Sequence, residues 1–166
     1  LAHPGGNVTG LSMMMSDLGS KRLQLLKEMI PGIRRVALIW DPTVAWHKSA
    51  LENLTTAARS LSIQTQAIAV SRKEQFGSAF SAIRRWHAEA VYVLENAFFV
   101  TQRGRFLKLS SEAGLPLVYG QKELVEDGAL MSYSAKYGEM WRKAASYVDK
   151  ILKGAKPSDL PIEQPT

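Results

Sequence analysis

The sequence predicts an α/β fold: a doubly wound, mostly parallel sheet of about five strands flanked by helices. Three observations point to it. Short runs of β-branched or bulky apolar residues alternate with segments whose apolar residues recur at helical spacing. The connections between them are short, which implies parallel strands and right-handed crossovers with helices on both faces. The first and third runs, Val36 to Trp40 and Ala90 to Leu94, are apolar nearly throughout, as strands covered on both faces are.

The elements follow in order. Leu18, Leu25, Leu26 and Met29 define a first helical stripe, and Pro31-Gly32 stops it. The strand at Val36 to Trp40 is turned by Asp41-Pro42. A second stripe, Leu51, Leu54, Ala58 and Leu61, leads to a strand within Ile63 to Val70, whose polar Gln64, Thr65 and Gln66 mark a sheet edge. Ser71 and Glu74 have capping-box spacing for a third helix through Phe76, Ala79, Phe80 and Ile83. After Ala90 to Leu94, one helix is expected through Phe99, Phe106, Leu109 and Ala113, with Gly114 as its C′ residue. Strands at Leu117 to Tyr119 and Ala129 to Tyr133 precede a last stripe, Met140, Ala144, Tyr147, Val148 and Ile151. Beyond Lys153, Gly154, Pro157, Pro161 and Pro165 cannot continue a helix, so residues 154–166 are expected to form an extended strap on a single lobe spanning 1–153.

A chain of 166 residues fits one domain that buries roughly 70% of its unfolded surface, so no staple is required. With no Cys, there is neither a disulfide framework nor a thiolate site. The net charge of +6 raises the question of nucleic acid, but the basic residues come mostly as scattered pairs, among them Lys21-Arg22, Arg34-Arg35 and Arg84-Arg85, on or beside helices with apolar opposite faces. Solvated helix faces are the expectation, and nucleic acid is not an expected partner. No apolar stretch approaches the ~20 residues of a membrane span, and the first residues lack the order of a signal peptide. A start at Leu1, running straight into a Gly-rich turn, reads as an excised segment.

In an open parallel sheet, ligands bind beyond the carboxyl ends of the strands. That rule selects Asp41, Thr43, Glu95, Asn96, Phe98, Tyr119 and Tyr133 as candidate ligand-binding residues, a mixture of polar and aromatic groups suited to a small molecule. Asp41-Pro42 also makes a good turn, and Tyr119, Phe98 and Tyr133 are equally able to fill core. Glu95 ends an apolar strand, where an unpaired buried carboxylate would cost several kcal/mol, so it should face solvent in a cleft or a cation. An α-ammonium brought by the ligand, with Tyr119 or Phe98 beside it, would satisfy it.

No catalytic residue is indicated: there is no Gly-x-Ser-x-Gly elbow, no His-Glu-x-x-His and no phosphate loop. His3, His47 and His87 lack metal-ligand spacing and are expected to face solvent or cap, so no metal site is called for.

The motifs resemble one family. "HPGGNVTG" at His3 to Gly10, "KRLQLLKEMIPG" at Lys21 to Gly32, "LPLVYG" at Leu115 to Gly120, "GALMSY" at Gly128 to Tyr133 and "YVDKILKGAKPSDLPIEQPT" at the end are similar to the ABC-transporter substrate-binding proteins of the tryptophan/tyrosine type. The resemblance covers nearly the whole chain. It implies one lobe of a type I periplasmic binding protein, without enzymatic activity or cofactor, closing with a missing N-terminal lobe on a small-molecule ligand such as an aromatic amino acid. It further implies a membrane ABC permease as partner, a periplasmic or extracytoplasmic location, and a strap returning to the hinge between lobes. Asp41-Pro42 stands where Asn-Pro is commoner, and Glu95-Asn96 where an Asp-Pro-like phrase is usual. Two other readings compete: the sensor domain of a transcriptional regulator, which needs a DNA-binding segment upstream, and a flavodoxin-like or nucleotide-binding enzyme, which lacks its phosphate loop here.

Overall fold

The computed structural model describes residues 5–12 and 15–163. His3 therefore lies outside the described residues. The chain packs as two compact units, one formed by Met15–Tyr133 and the other by Leu1–Met14 with Ser134–Thr166.

The larger unit holds a five-stranded parallel sheet. Its strands are β1 (Arg35–Trp40), β2 (Gln64–Ala69), β3 (Ala90–Val93), β4 (Leu117–Tyr119) and β5 (Met131–Ser132), in the order β2-β1-β3-β4-β5. Leu38 stands between Ala67 of β2 and Tyr92 of β3, which fixes the register of the three longest strands. The polar strand β2 is at an edge, as its Gln64, Thr65 and Gln66 predict. The strand order reverses direction between β1 and β3, so that pair is the topological switch point.

Successive residues of a strand point to opposite faces, and the sheet accordingly builds two cores. On one face Ala37, Ile39, Val91, Val93, Leu117 and Tyr119 pack with Phe76, Phe80 and Ile83 of α3 (Phe76–Arg85), Phe99 of α4 (Ala97–Thr101), Phe106 of α5 (Arg103–Glu112) and Leu124 of α6 (Glu123–Glu126). On the other, Val36, Leu38, Tyr92, Leu94 and Val118 pack with Leu23 and Leu26 of α1 (Met15–Met29) and Leu54 and Ala58 of α2 (His47–Ser60). Phe76, Phe80, Phe99 and Phe106 are fully buried, each stabilising the fold by about 1.5–3 kcal/mol of apolar transfer.

Local expectations differ from the structure at several points in the elements. The helix expected from Phe99 to Ala113 is divided at Gln102 into α4 and α5, because Asn96 starts a separate turn: its Oδ1 accepts from Phe99 N–H at 2.7 Å. At the start of the third helix the capping acceptor is Gln75, not Glu74; its Oε1 takes Ser71 N–H at 2.8 Å and Arg72 N–H at 3.1 Å. Met29, placed on the apolar stripe of α1, is exposed, since the buried stripe runs through Arg22, Leu23 and Leu26.

The smaller unit contains α7 (Tyr137–Leu152) and the two terminal segments. After α7 the chain turns at Gly154 (φ 99°), makes a 3-10 turn over Pro157–Asp159 and then runs extended beside the incoming segment. Glu163 N–H donates to Gly10 C=O at 3.1 Å, and Ser12 N–H donates to Glu163 C=O at 2.9 Å. Thr9 Oγ1 donates to Leu160 C=O at 2.7 Å. Tyr147 of α7 donates its hydroxyl to Glu163, and Lys143 forms an ion pair with the same carboxylate. These bonds pull the Glu163 carboxyl below the usual carboxylate range, while burial and the carboxylate push the Tyr147 phenol up to about 12. Among the described residues, no helix is long and apolar enough to cross a membrane.

Candidate functional site

All five strands are parallel, so Asp41, Glu95, Asn96, Tyr119 and Tyr133 emerge at one end of the sheet. The crevice between β1 and β3 at that end is spanned by side chains. Asp41 follows β1 and is buried; its Oδ1 accepts from Thr43 N–H at 2.9 Å and Thr43 Oγ1 at 2.7 Å, closing its own turn. Its Oδ2 accepts from Asn96 Nδ2 at 3.0 Å, joining the ends of the two switch-point strands.

His47 makes a second bridge beneath the first. Asp41 N–H donates to Nδ1 at 2.9 Å, which leaves the proton on Nε2 to be donated to Glu95 C=O at 3.0 Å. The expectation of a solvent-facing or capping histidine is corrected here: His47 is wholly buried, because both ring nitrogens serve backbone groups that would otherwise lack partners.

The Glu95 side chain turns inward. It is only 6% exposed and meets the guanidinium of Arg22, with Nη2 to Oε1 at 2.6 Å. Arg22 also donates from Nη1 to the Tyr92 hydroxyl at 3.0 Å and from Nε to Tyr133 C=O at 2.6 Å. One side chain from α1 thus ties together the ends of β3 and β5. Arg22 is 2% exposed, which corrects the reading of Lys21-Arg22 as a solvated pair. Burial alone would lower the guanidinium pKa; Tyr92 and Glu95 outweigh that and raise it. Burial pushes the Tyr92 phenol up. Gly120 is required beside them, since a Cβ there would overlap the Glu95 carboxylate and lie 2.6 Å from Arg22 Nη2.

The expected site residues therefore play different parts. Asp41, Glu95 and Asn96 form a hydrogen-bonded floor. Tyr119 is fully buried, with its ring near Phe106 and its hydroxyl donating to Asn96 C=O at 3.3 Å. Phe98 stacks on Phe76 at 5.9 Å and packs, partly buried, against the core. Thr43 and Tyr133 are exposed. The expectation that Glu95 awaits a ligand ammonium is corrected by the internal cation that already satisfies it. Trp46, which the sequence reading passed over, is exposed and lines a cavity of about 20 Å³ with Gly19, Arg22, Leu54, Tyr92 and Glu95, room for a single water molecule. A depression of about 550 Å³ beside Arg103, Leu107 and Asp127 is larger, but it is shallow and its ion pair is half exposed, so it holds no comparable prepared polar floor. Among the described residues no group of His, Asp and Glu could hold a metal ion.

The sequence profile described as ABC transporter substrate binding protein matches residues 1–166. The chain belongs to this family. A curated relative, the tyrosine-binding protein of Clostridioides difficile (strain R20291), is 24% identical over 98% of this chain and 46% of its own length. Among solved structures, a conserved domain protein from Vibrio cholerae superposes with a TM-score of 0.84 at 25% identity, over 98% of this chain and 54% of that one. An ABC domain from Streptococcus pneumonia in complex with L-Trp superposes with a TM-score of 0.82 at 20% identity, over 99% and 56%. The chain thus spans about half the length of the relatives it matches. The fold is also shared with a periplasmic binding ribose operon repressor protein from Lactobacillus acidophilus, with a TM-score of 0.67 at 15% identity, over 99% of this chain and 64% of that one.

Proposed function

We propose that this chain is one lobe of the solute-binding component of an ABC import system, and that the carboxyl end of its sheet supplies half of a cleft for an aromatic amino acid. One observation carries the reading. The polar atoms of the switch-point crevice are largely engaged with one another through Asp41, Asn96, His47, Glu95 and Arg22, while Thr43, Trp46 and Tyr133 stand exposed around it. Such a surface offers a rigid floor with aromatic and hydroxyl groups on its rim, and a ligand held there needs a second wall. The relatives that bind tyrosine and tryptophan are about twice as long, which is consistent with a second lobe supplying that wall.

Contacts to both lobes exist only when they close, so ligand shifts the population toward the closed form. A membrane permease then receives the loaded protein outside the cytoplasm. Glu95 serves this site from below by holding Arg22, and Thr43, Asn96, Trp46 and Tyr133 are the groups in reach of ligand. Likeness to the repressor favours a sensor domain as the second reading, and a DNA-binding helix pair in the complete gene product would select it.

Calorimetric titration with an amino-acid panel tests the proposal. The complete gene product should bind L-Tyr or L-Trp, and the 166-residue chain should bind them far more weakly, because half the contacts must offset the same loss of ligand freedom. Equal, tight binding by the 166-residue chain would show a self-contained site. No aromatic binding by the complete product would remove the ligand class.

A further inference from the structure

The two ends of the sheet in the larger unit differ in how they hold charge. At the carboxyl end Arg22, Asp41 and Glu95 are buried and bonded within the fold. At the amino end the charges are mostly basic and stand in solvent. Lys27 lies in the last turn of α1, Arg34 precedes β1 and Arg35 begins it, Arg59 lies in the last turn of α2, and Arg84 and Arg85 end α3. Backbone bonds bring these segments together. Arg34 C=O accepts from Gln64 N–H at 2.7 Å, which draws the turn after α2 to one side of it. Arg34 N–H donates to Glu89 at 2.6 Å, which draws the turn after α3 to the other side, since β1 lies between β2 and β3.

The acids of this end are already engaged. Gln24 Nε2 donates to Glu28 at 2.9 Å, Glu89 holds the backbone of Arg34 and Arg35 with the Arg35 guanidinium 4.0 Å away, and Glu112 at the end of α5 pairs with Lys108. Arg34, Arg59, Arg84 and Arg85 are exposed and form no ion pair among the described residues. Apolar groups lie among them. Met29 is 53% exposed, Pro31 is exposed in the turn that leads to Arg34, and Trp86, half-buried, directly follows Arg85. Cations suit the last turns of helices in any protein. That preference explains neither Arg34, which lies on no helix, nor the exposed apolar residues beside it.

We propose that the amino end of the sheet docks on an anionic phospholipid surface, with Arg34, Arg59, Arg84 and Arg85 on the headgroup phosphates and Met29, Pro31 and Trp86 at the bilayer interface. Charge complementarity and apolar exposure together select this occupant. Basic residues are drawn to the negative potential of such a surface, and the planar guanidinium offers paired donors to a phosphate. Apolar and aromatic side chains beside the cations enter the interface and add area that is removed from water. A nucleic acid would use the same cations and leave Met29 and Pro31 without a part. The docking face lies at the opposite end of the sheet from the candidate site, so the protein can rest on a membrane with that site open to ligand.

The test is sedimentation of the 166-residue chain with vesicles of equimolar phosphatidylglycerol and phosphatidylcholine. The chain should bind these vesicles, ignore pure phosphatidylcholine, and be released at roughly 1 M salt, where the Debye length is ~3 Å. Arg84→Glu combined with Arg85→Glu should weaken binding roughly tenfold or more. Lys48→Glu combined with Lys73→Glu, an equal change in net charge at the carboxyl end, should leave it unchanged. Met29→Ser should weaken it roughly threefold, through lost apolar burial. No binding to the anionic vesicles overturns the proposal, as does an equal fall in both double variants, equal binding to phosphatidylcholine, or an unmoved affinity in Met29→Ser. Tighter binding to single-stranded DNA than to vesicles, lost with the same arginines, would assign the face to a polyanion instead. L-Tyr or L-Trp affinity of the complete gene product should be the same with and without Arg84→Glu and Arg85→Glu, so the docking face and the proposed function stand or fall separately.

Discussion

Two glutamates flank strand β3, and the sheet uses them in opposite ways. Glu89 precedes the strand, is 39% exposed, and accepts from the backbone N–H groups of Arg34 at 2.6 Å and Arg35 at 3.0 Å. Glu95 follows the strand, is buried, and faces the guanidinium of Arg22. At the amino end a carboxylate finishes the hydrogen bonding at the start of β1 and remains in contact with water. At the carboxyl end a carboxylate and a cation are sealed under the candidate site with Tyr92 and the Tyr133 carbonyl. Position along the strand is nearly equivalent chemistry; burial decides what each acid does. A buried pair of this kind contributes little net stability relative to apolar residues of similar shape, but it is costly to break, and it specifies one arrangement of α1, β3 and β5.

The contrast is broken most severely from the Arg22 side. Arg22→Met strands the Glu95 carboxylate in a dry site and should lower unfolding stability by about 3–5 kcal/mol, read by urea denaturation. Adding Glu95→Gln to Arg22→Met should recover much of that loss; failure to do so would mean that the pair is not the origin of the cost. Gly120→Ala comes next. Its methyl group needs space held by the Glu95 carboxylate, so a loss of about 1–3 kcal/mol from overpacking is expected, together with weakened aromatic ligand binding, because the floor must shift.

Glu89→Gln should have the smallest effect and leave ligand affinity unchanged. The backbone N–H of Arg34, first, and of Arg35 hold the Glu89 carboxyl below the usual carboxylate range. Its folded pKa is thus depressed, so its contribution is present above the unfolded carboxyl pKa and is lost as pH falls through the lower folded value. Melting curves across that acid range should show the unsubstituted and Glu89→Gln chains converging as the pH drops.

Much of the sheet was legible because apolar strand runs and turn residues are local signals. Ala90 to Leu94 reads as a buried strand without knowledge of its neighbours, and Gln64 to Gln66 marks an edge by polarity alone. The site was legible by position only. The parallel-sheet rule found Asp41, Glu95 and Asn96, but could not say that they would bond to one another, because Asp41 and Asn96 meet across a separation of 55 residues. Arg22 and His47 were missed for a related reason. Each lies on the apolar stripe of its helix, Arg22 with Leu18, Leu25 and Leu26, and His47 with Leu51, Leu54 and Ala58, and a polar residue in such a row is the signal that would have found them. On α7, Val148 was counted with Met140 and Tyr147 toward one core face, but it stands 55% exposed while they are buried.

The central claim is that ligand meets the carboxyl end of the sheet and not the amino end. Amide chemical-shift mapping of the 166-residue chain, titrated with L-Trp to millimolar concentration, compares the two ends in one experiment and registers weak binding. The account predicts perturbations at Thr43, Trp46, Asn96, Gly120 and Tyr133, with Arg34, Arg35 and Glu89 unmoved. Shifts centred on Arg34, Arg35 and Glu89, or none at all while the complete gene product binds L-Trp, would contradict it.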